Sequence, residues 1–264
     1  GDRLRDVAIA FTVLNTIFLG LRFLSKRIGR MPFGIDDWLM IPGYIVCLGI
    51  HAICFVVVNY GGVGYHLSVV FQESPHKIIV WAKSLVAAPF LYCLAVTFPK
   101  LSILVFYSRI FIIKAQRVIT FVLMGVIIAT AISGIVAAAF ECVPLEKVWN
   151  RGIPGTCYNI AAYFQYGALP NAITDFVMLL LPIPTVWKLQ ATLKVKMGLL
   201  VTFMIGGLGL ITSIIRTTEF FKFNPLVDGT RAATVPLCWT IVEPGCYHIA
   251  ACLIYLRPLL SYVS

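Results

Sequence analysis

The chain has 264 residues, of which 60% are hydrophobic and 12% charged, and it carries a formal net charge of +10. So few polar side chains cannot coat a soluble globule of this size, which excludes water as the solvent for most of the surface. The excess of bases falls in short loops between apolar runs, where membrane topology and anionic lipid headgroups account for it, so no nucleic-acid partner is expected.

The opening Gly-Asp-Arg-Leu-Arg lacks the basic start, short apolar run and small-residue cleavage site of a signal peptide, and the first span is expected to act as its own signal. Apolar stretches then run over Val7 to Phe23, Trp38 to Tyr60, Leu85 to Ile113, Val118 to Phe140, Tyr163 to Trp187, Met197 to Phe221 and Ala232 to Leu256. A hydrocarbon core roughly 30 Å thick needs about 20 apolar residues in helical form, so these predict an all-α fold, a seven-transmembrane helix bundle. Barrel strands would alternate in polarity, and these stretches do not. The third span is expected to start earlier, near Ile78, and to be long or tilted. With no fixed-period repeat and only short loops, residues 1–264 read as a single domain. Pro99, Pro170, Pro182, Pro184, Pro236 and Pro244 predict kinks in the third, fifth and seventh spans.

Orientation follows from the bases. Arg22, Lys26, Arg27, Arg30, Arg109, Lys114, Arg117, Lys188, Lys194, Lys196 and Arg257 make eleven on the first-loop side, against eight on the other. The N-terminus is therefore expected outside and the C-terminus in the cytoplasm. In the first loop, Gly34-Ile35-Asp36-Asp37-Trp38 reads as a turn and N-cap, with carboxylates at the positive end of the second helix and Trp38 at the interface. Gly61 to Gly64 supply a chain reversal beyond that helix, and His66 and His76 are too few to make a metal site. Six cysteines lie in apolar segments as small hydrophobes. Cys142 and Cys157 flank an outer loop in an oxidising compartment, where a disulfide is expected; two free thiols, or Cys157 bonded elsewhere, are the alternatives.

Ionisable residues inside the membrane are costly and ask for a partner or a role. Lys100, Asp175, Arg216, Glu219 and Glu243 are the candidates. Counted from the basic boundary of each span, Lys100, Asp175 and Glu243 all fall roughly 18 to 21 Å deep, close enough to meet. Two carboxylates facing one ammonium leave a surplus negative charge, which makes one of them a candidate proton carrier; an ion pair that only pins three helices is the other reading. Arg216 counts as lying near the outer boundary, on one face with Glu219, where the two could pair.

Several motifs now stand in order: Asp36-Asp37-Trp38, Gly61 to His66, Lys100 to Leu104, Tyr107-Ser108-Arg109-Ile110-Phe111, the Cys142 to Cys157 loop with Trp149, Asn171 to Asp175, Leu181 to Pro184, Ser213 to Arg216, Trp239 to Glu243 and Leu256 to Leu259. In this order they resemble the fungal rhodopsin-domain family of integral membrane proteins across nearly the whole chain. The resemblance implies a seven-helix, G-protein-coupled-receptor-like protein of a filamentous fungus, whose relatives include receptor-like sensors of external cues. Retinal needs a Schiff-base lysine in the last helix, and Ala232 to Leu256 contains none, so no chromophore or other cofactor is expected.

Three functions compete. A sensor would bind an extracellular ligand and shift a two-state bundle toward a heterotrimeric G protein, with Tyr107 and Arg109 as the cytoplasmic switch candidate; a positive-inside anchor explains Arg109 equally well. A proton-coupled carrier would use Lys100, Asp175 and Glu243 at the midplane. A membrane enzyme would use the same carboxylates as acid and base, and ranks last because no metal or nucleotide motif is present. The expectation is a non-enzymatic sensor in the plasma membrane.

Overall fold

The computed structural model describes residues 1–65, 69–70, 72, 74–111, 113–150, 152–184, 207–219, 221, 230 and 232–256. His66, Lys188, Lys194, Lys196 and Arg257 lie outside them. The described residues are helical apart from turns, short loops and one two-stranded ladder.

Helix α1 covers Asp2–Ile28, α2 Ile35–Tyr60, α3 Pro75–Ile110 and α4 Lys114–Ala139. All four are long and apolar enough to cross a membrane. Strands β1, Cys142–Val143, and β2, Thr156–Cys157, follow, and then α5, Ile160–Tyr166, and α6, Leu169–Leu180. Residues 207–219 form α7, and Thr234–Leu253 form α8. The third span begins slightly before the expected Ile78, at Pro75, which takes the first-turn position where proline's missing N–H costs nothing.

The fifth span differs from expectation. A single kinked helix from Tyr163 was predicted, and instead the chain makes two, with Gly167 and Ala168 between them and Pro170 in the first turn of the second. Pro170 has no N–H to return to Tyr166, so the ladder restarts rather than bends. Helices α2, α3 and α8, by contrast, run through Pro42, through Pro89 and Pro99, and through Pro244.

Burial is inverted relative to a water-soluble protein. Ile9, Val13, Ile17, Val118, Val122, Ile132, Ile173 and Phe176 face outward, whereas Asn15, Arg22, Lys26, Lys100, Asp175 and Glu243 are buried. Such an arrangement suits a hydrocarbon solvent, which accepts apolar surface and forces charges to pair inside. This is a membrane protein.

Helix α3 packs against α2, α4 and α8, while α1 lies along α8. One apolar cluster, with Met40, Leu104, Tyr107 and Phe111, fills the end where α3 finishes. A second, with Leu4, Cys47, Ile50 and Trp81, fills the end where it begins. At that second end the chain leaves α2 through Gly62 and Gly64, with φ of +69° and +102°. A Cβ on Gly64 would run into the Gly1 nitrogen, so both backbone conformation and close approach require glycine there.

A buried charge cluster, an apolar cavity and a second ionic network

Lys100, on α3, places its ammonium 2.6 Å from Asp175 Oδ1 on α6. It also donates to Asn171 Oδ1 at 2.6 Å and Thr174 Oγ1 at 3.3 Å, and it sits 4.8 Å from the centre of the Tyr247 ring. The Tyr247 hydroxyl in turn donates to Asp175 Oδ2 at 2.5 Å. With the Asn171 carbonyl at 3.4 Å as a fourth acceptor, every proton of the ammonium has a partner, which is the condition for holding such a charge away from water.

Glu243, on α8, does not complete that pair. Its Oε2 lies 2.5 Å from Arg216 Nε on α7, and it accepts from the Tyr92 hydroxyl at 2.9 Å and from Asn171 Nδ2 at 2.6 Å. The Arg216 guanidinium stacks 4.2 Å over the Tyr92 ring. Asn171 therefore bridges the two pairs, accepting from Lys100 and donating to Glu243. Counting two carboxylates against one ammonium left out Arg216, whose long side chain brings its charge to Glu243. With Lys100 and Arg216 facing Asp175 and Glu243, the surplus charge disappears. Glu219, one turn beyond Arg216, is half-buried.

Beside this cluster lies a cavity of about 360 Å³. Its α3 wall is a single helical stripe from Trp81 through Leu85, Tyr92 and Val96 to Lys100. Small residues of α4, among them Ala131, Gly134 and Ala137, form the facing wall. Lys100, Arg216, Asn171 and Thr174 line it, while Asp175 and Glu243 stand behind them.

A second network, built from residues expected as loop charges and a cap, is just as deeply buried. Arg22 donates to Asp36 Oδ2 at 2.7 Å and Asp37 Oδ1 at 3.0 Å, and Lys26 to the same carboxylates at 3.0 and 2.5 Å. Arg22 also reaches the Ala251 carbonyl at 2.5 Å, tying α1 and α2 to α8, and both bases lie over the Tyr255 ring. Asp37 caps as expected, accepting the Gly34 N–H at 2.9 Å. Arg109, at the end of α3, places Nη1 2.9 Å from Asp36 Oδ1, yet its side chain stays 48% exposed. Tyr107 is buried among Phe106 and Phe111 and belongs to the apolar cluster. Trp38 is outward-facing, as an interface anchor would be.

At the opposite end, Cys142 and Cys157 form a disulfide across the β1–β2 pair. Beside it Glu141 is almost wholly buried, and that burial pushes its carboxyl up to about 7. Tyr158 and Tyr163 donate to the Ala137 and Gly134 carbonyls, tying α5 and its leading loop to α4.

Among known proteins, the chain is 31% identical to the polyenoic acids biosynthesis gene cluster protein Ba17b of Metarhizium anisopliae, over all of this chain and 75% of that protein. It is 31% identical to a SAT4 family membrane protein of Emericella nidulans, over 77% of this chain and 51% of the relative. Receptor GIN3 of Arthrobotrys oligospora is 24% identical over 88% of this chain and 56% of its own length. The chain thus spans between about half and three-quarters of these relatives. No solved structure matches it. The fungal rhodopsin domain model matches residues 21–262, and the chain belongs to that family of membrane proteins.

Proposed function

We propose that this chain is a non-enzymatic, receptor-like sensor of the fungal plasma membrane: a seven-helix bundle, N-terminus outside, that passes a ligand-dependent change to a heterotrimeric G protein. One observation carries the reading. Helix α3 lines the cavity as far as Lys100 and, nine residues on, presents half-exposed Arg109 to buried Asp36. At 1.5 Å per residue the two are about 14 Å apart on one rigid element, so a ligand that moves the cavity wall shifts the Arg109 contact with it. The name of one relative, Receptor GIN3, agrees with this reading.

A carrier is the second reading, favoured by four ionisable groups meeting inside the bundle. Their balanced pairing and mutual hydrogen bonds speak against a spare proton-carrying carboxyl. The test is nucleotide exchange on fungal heterotrimeric G proteins by the full-length protein in lipid discs, with wild type beside Arg109→Ala. Exchange that depends on the protein and changes with the substitution supports a receptor. No binding and no exchange moves the weight to the carrier, for which proton-coupled flux is then measured.

A further inference from the structure

The cavity beside Lys100 has a shape and a polarity that define what it can hold. From Trp81 to Lys100 its α3 wall runs nineteen residues, about 28 Å of helix, so the space is elongated. Most of that length is bounded by aliphatic, aromatic and small side chains. The hydroxyls on the wall have already spent their protons on backbone carbonyls: Thr97 on Cys93, Thr130 on Ile127, Ser133 on Thr130 and Thr240 on Pro236. The walls therefore offer a ligand apolar contact and ask for little hydrogen bonding in return.

The charged part of the wall is one-sided. Lys100 and Arg216 face the space, and their carboxylates, Asp175 and Glu243, lie behind them. A ligand therefore meets cationic groups first. An ammonium placed there would be repelled at short range in a medium of low dielectric, whereas a carbonyl or carboxylate oxygen would be drawn by the positive charge itself, the Lys100 protons being already shared with Asp175, Asn171 and Thr174.

We infer that the cavity binds an elongated lipophilic molecule with one acceptor end, a carbonyl or carboxyl group, directed at Lys100 and Arg216, and that it rejects lipophilic amines. The inference names the ligand class for the sensor reading above and rests on that reading only for its signalling consequence.

Trp81 on the wall supplies a local readout. Full-length protein in lipid discs is titrated with a hexadecanoic acid brominated near its methyl end, the end that points along the α3 wall toward Trp81 when the carboxyl is at Lys100. The expected result is saturable quenching of the fluorescence component that Trp81→Phe removes, competed by methyl dodecanoate and not by dodecylamine. Ala131→Phe, which puts a ring into the space, is expected to raise the half-saturation concentration at least tenfold. Ala137→Phe replaces it should the first variant fail to fold. Equal quenching in wild type and the filled variant would mean partition into lipid and would overturn the inference, as would competition by dodecylamine at the same concentration as the ester. Binding without any G-protein exchange would sink the receptor reading and leave the ligand class standing. Exchange without binding would do the reverse.

Discussion

Arg109 Nη1 and Asp36 Oδ1 lie 2.9 Å apart, and the two residues stand in opposite solvents: the aspartate is wholly buried, while the arginine side chain is about half exposed. Asp36 keeps Arg22 and Lys26 if Arg109 leaves, so this contact can open without stranding the buried carboxylate. That asymmetry separates a movable contact from a fixed one within a single cluster. Arg109→Ala is expected to change thermal stability by no more than about 1 kcal/mol, because half-exposed pairs contribute little. A change in G-protein exchange at nearly unaltered melting temperature is the outcome that identifies a switch.

Arg22→Met should behave in the opposite way. It removes the group that joins both carboxylates to the Ala251 carbonyl and leaves Lys26 as the only fully buried base facing Asp36 and Asp37 among the described residues. Breaking a buried pair from one side costs roughly 3 to 5 kcal/mol, since an uncompensated charge stays behind. Loss of expression, or a large fall in melting temperature in lipid discs, is expected. A stability equal to that of Arg109→Ala would show that the buried network does not hold α1, α2 and α8 together.

Gly34→Ala tests the same contact by geometry. A Cβ there would lie 2.5 Å from Asp36 Oδ1 and 2.7 Å from Arg109 Nη2. The methyl meets both partners of the contact, so housing it requires the Asp36 carboxylate to turn and the Arg109 guanidinium to withdraw, and the half-exposed arginine is the one free to move far. The substitution should therefore reproduce the exchange phenotype of Arg109→Ala without its loss of charge. Wild-type exchange by this variant would dissociate output from the Arg109 contact.

Much of this was legible in the sequence. The first four helices follow from uninterrupted apolar runs, and the meeting of Lys100 with Asp175 from a depth count at a fixed rise per residue. Arg216 escapes that count, which tracks the backbone, because a long guanidinium side chain carries its charge well away from its own Cα to Glu243. Arg22, Lys26, Asp36 and Asp37 were read as boundary charges because a residue at the edge of an apolar run has the same local sequence whether it snorkels outward or turns inward. Only the packing of α1 on α8, with the Ala251 carbonyl and Tyr255 waiting there, decides between the two. The spacing Arg22-x-x-x-Lys26 opposite adjacent carboxylates was the available signal, since it puts both bases on one helical face.

Asp175→Asn and Glu243→Gln distinguish pinning from transport. Asp175→Asn leaves the buried Lys100 without its carboxylate and should cost roughly 3 to 5 kcal/mol, while Lys100→Met combined with Asp175→Leu should recover most of that loss. Thermal melting of the single and double variants measures it. A carrier would instead keep its fold in both single variants and lose flux, which would return Asp175 and Glu243 to the role of coupling groups.

Glu141 gives the loop end of the molecule a pH dependence of known sign. Burial holds its carboxyl near 7, against about 4.5 for an ordinary glutamate, so the folded chain binds this proton more tightly than the unfolded one. Stability is then greatest below the lower value, falls as pH rises from 4.5 to 7, and is flat above it. The full loss is at most about 3 kcal/mol. Glu141→Gln keeps the size and hydrogen-bonding capacity of the protonated acid, so its stability should be flat across the same window and exceed that of wild type at neutral pH. Hydrogen exchange at the Tyr158 amide, which donates to the Glu141 carbonyl, reads the effect locally once corrected for the intrinsic exchange rate. A wild-type slope that survives the substitution would place the titrating group elsewhere and leave Glu141 ionised in the folded chain.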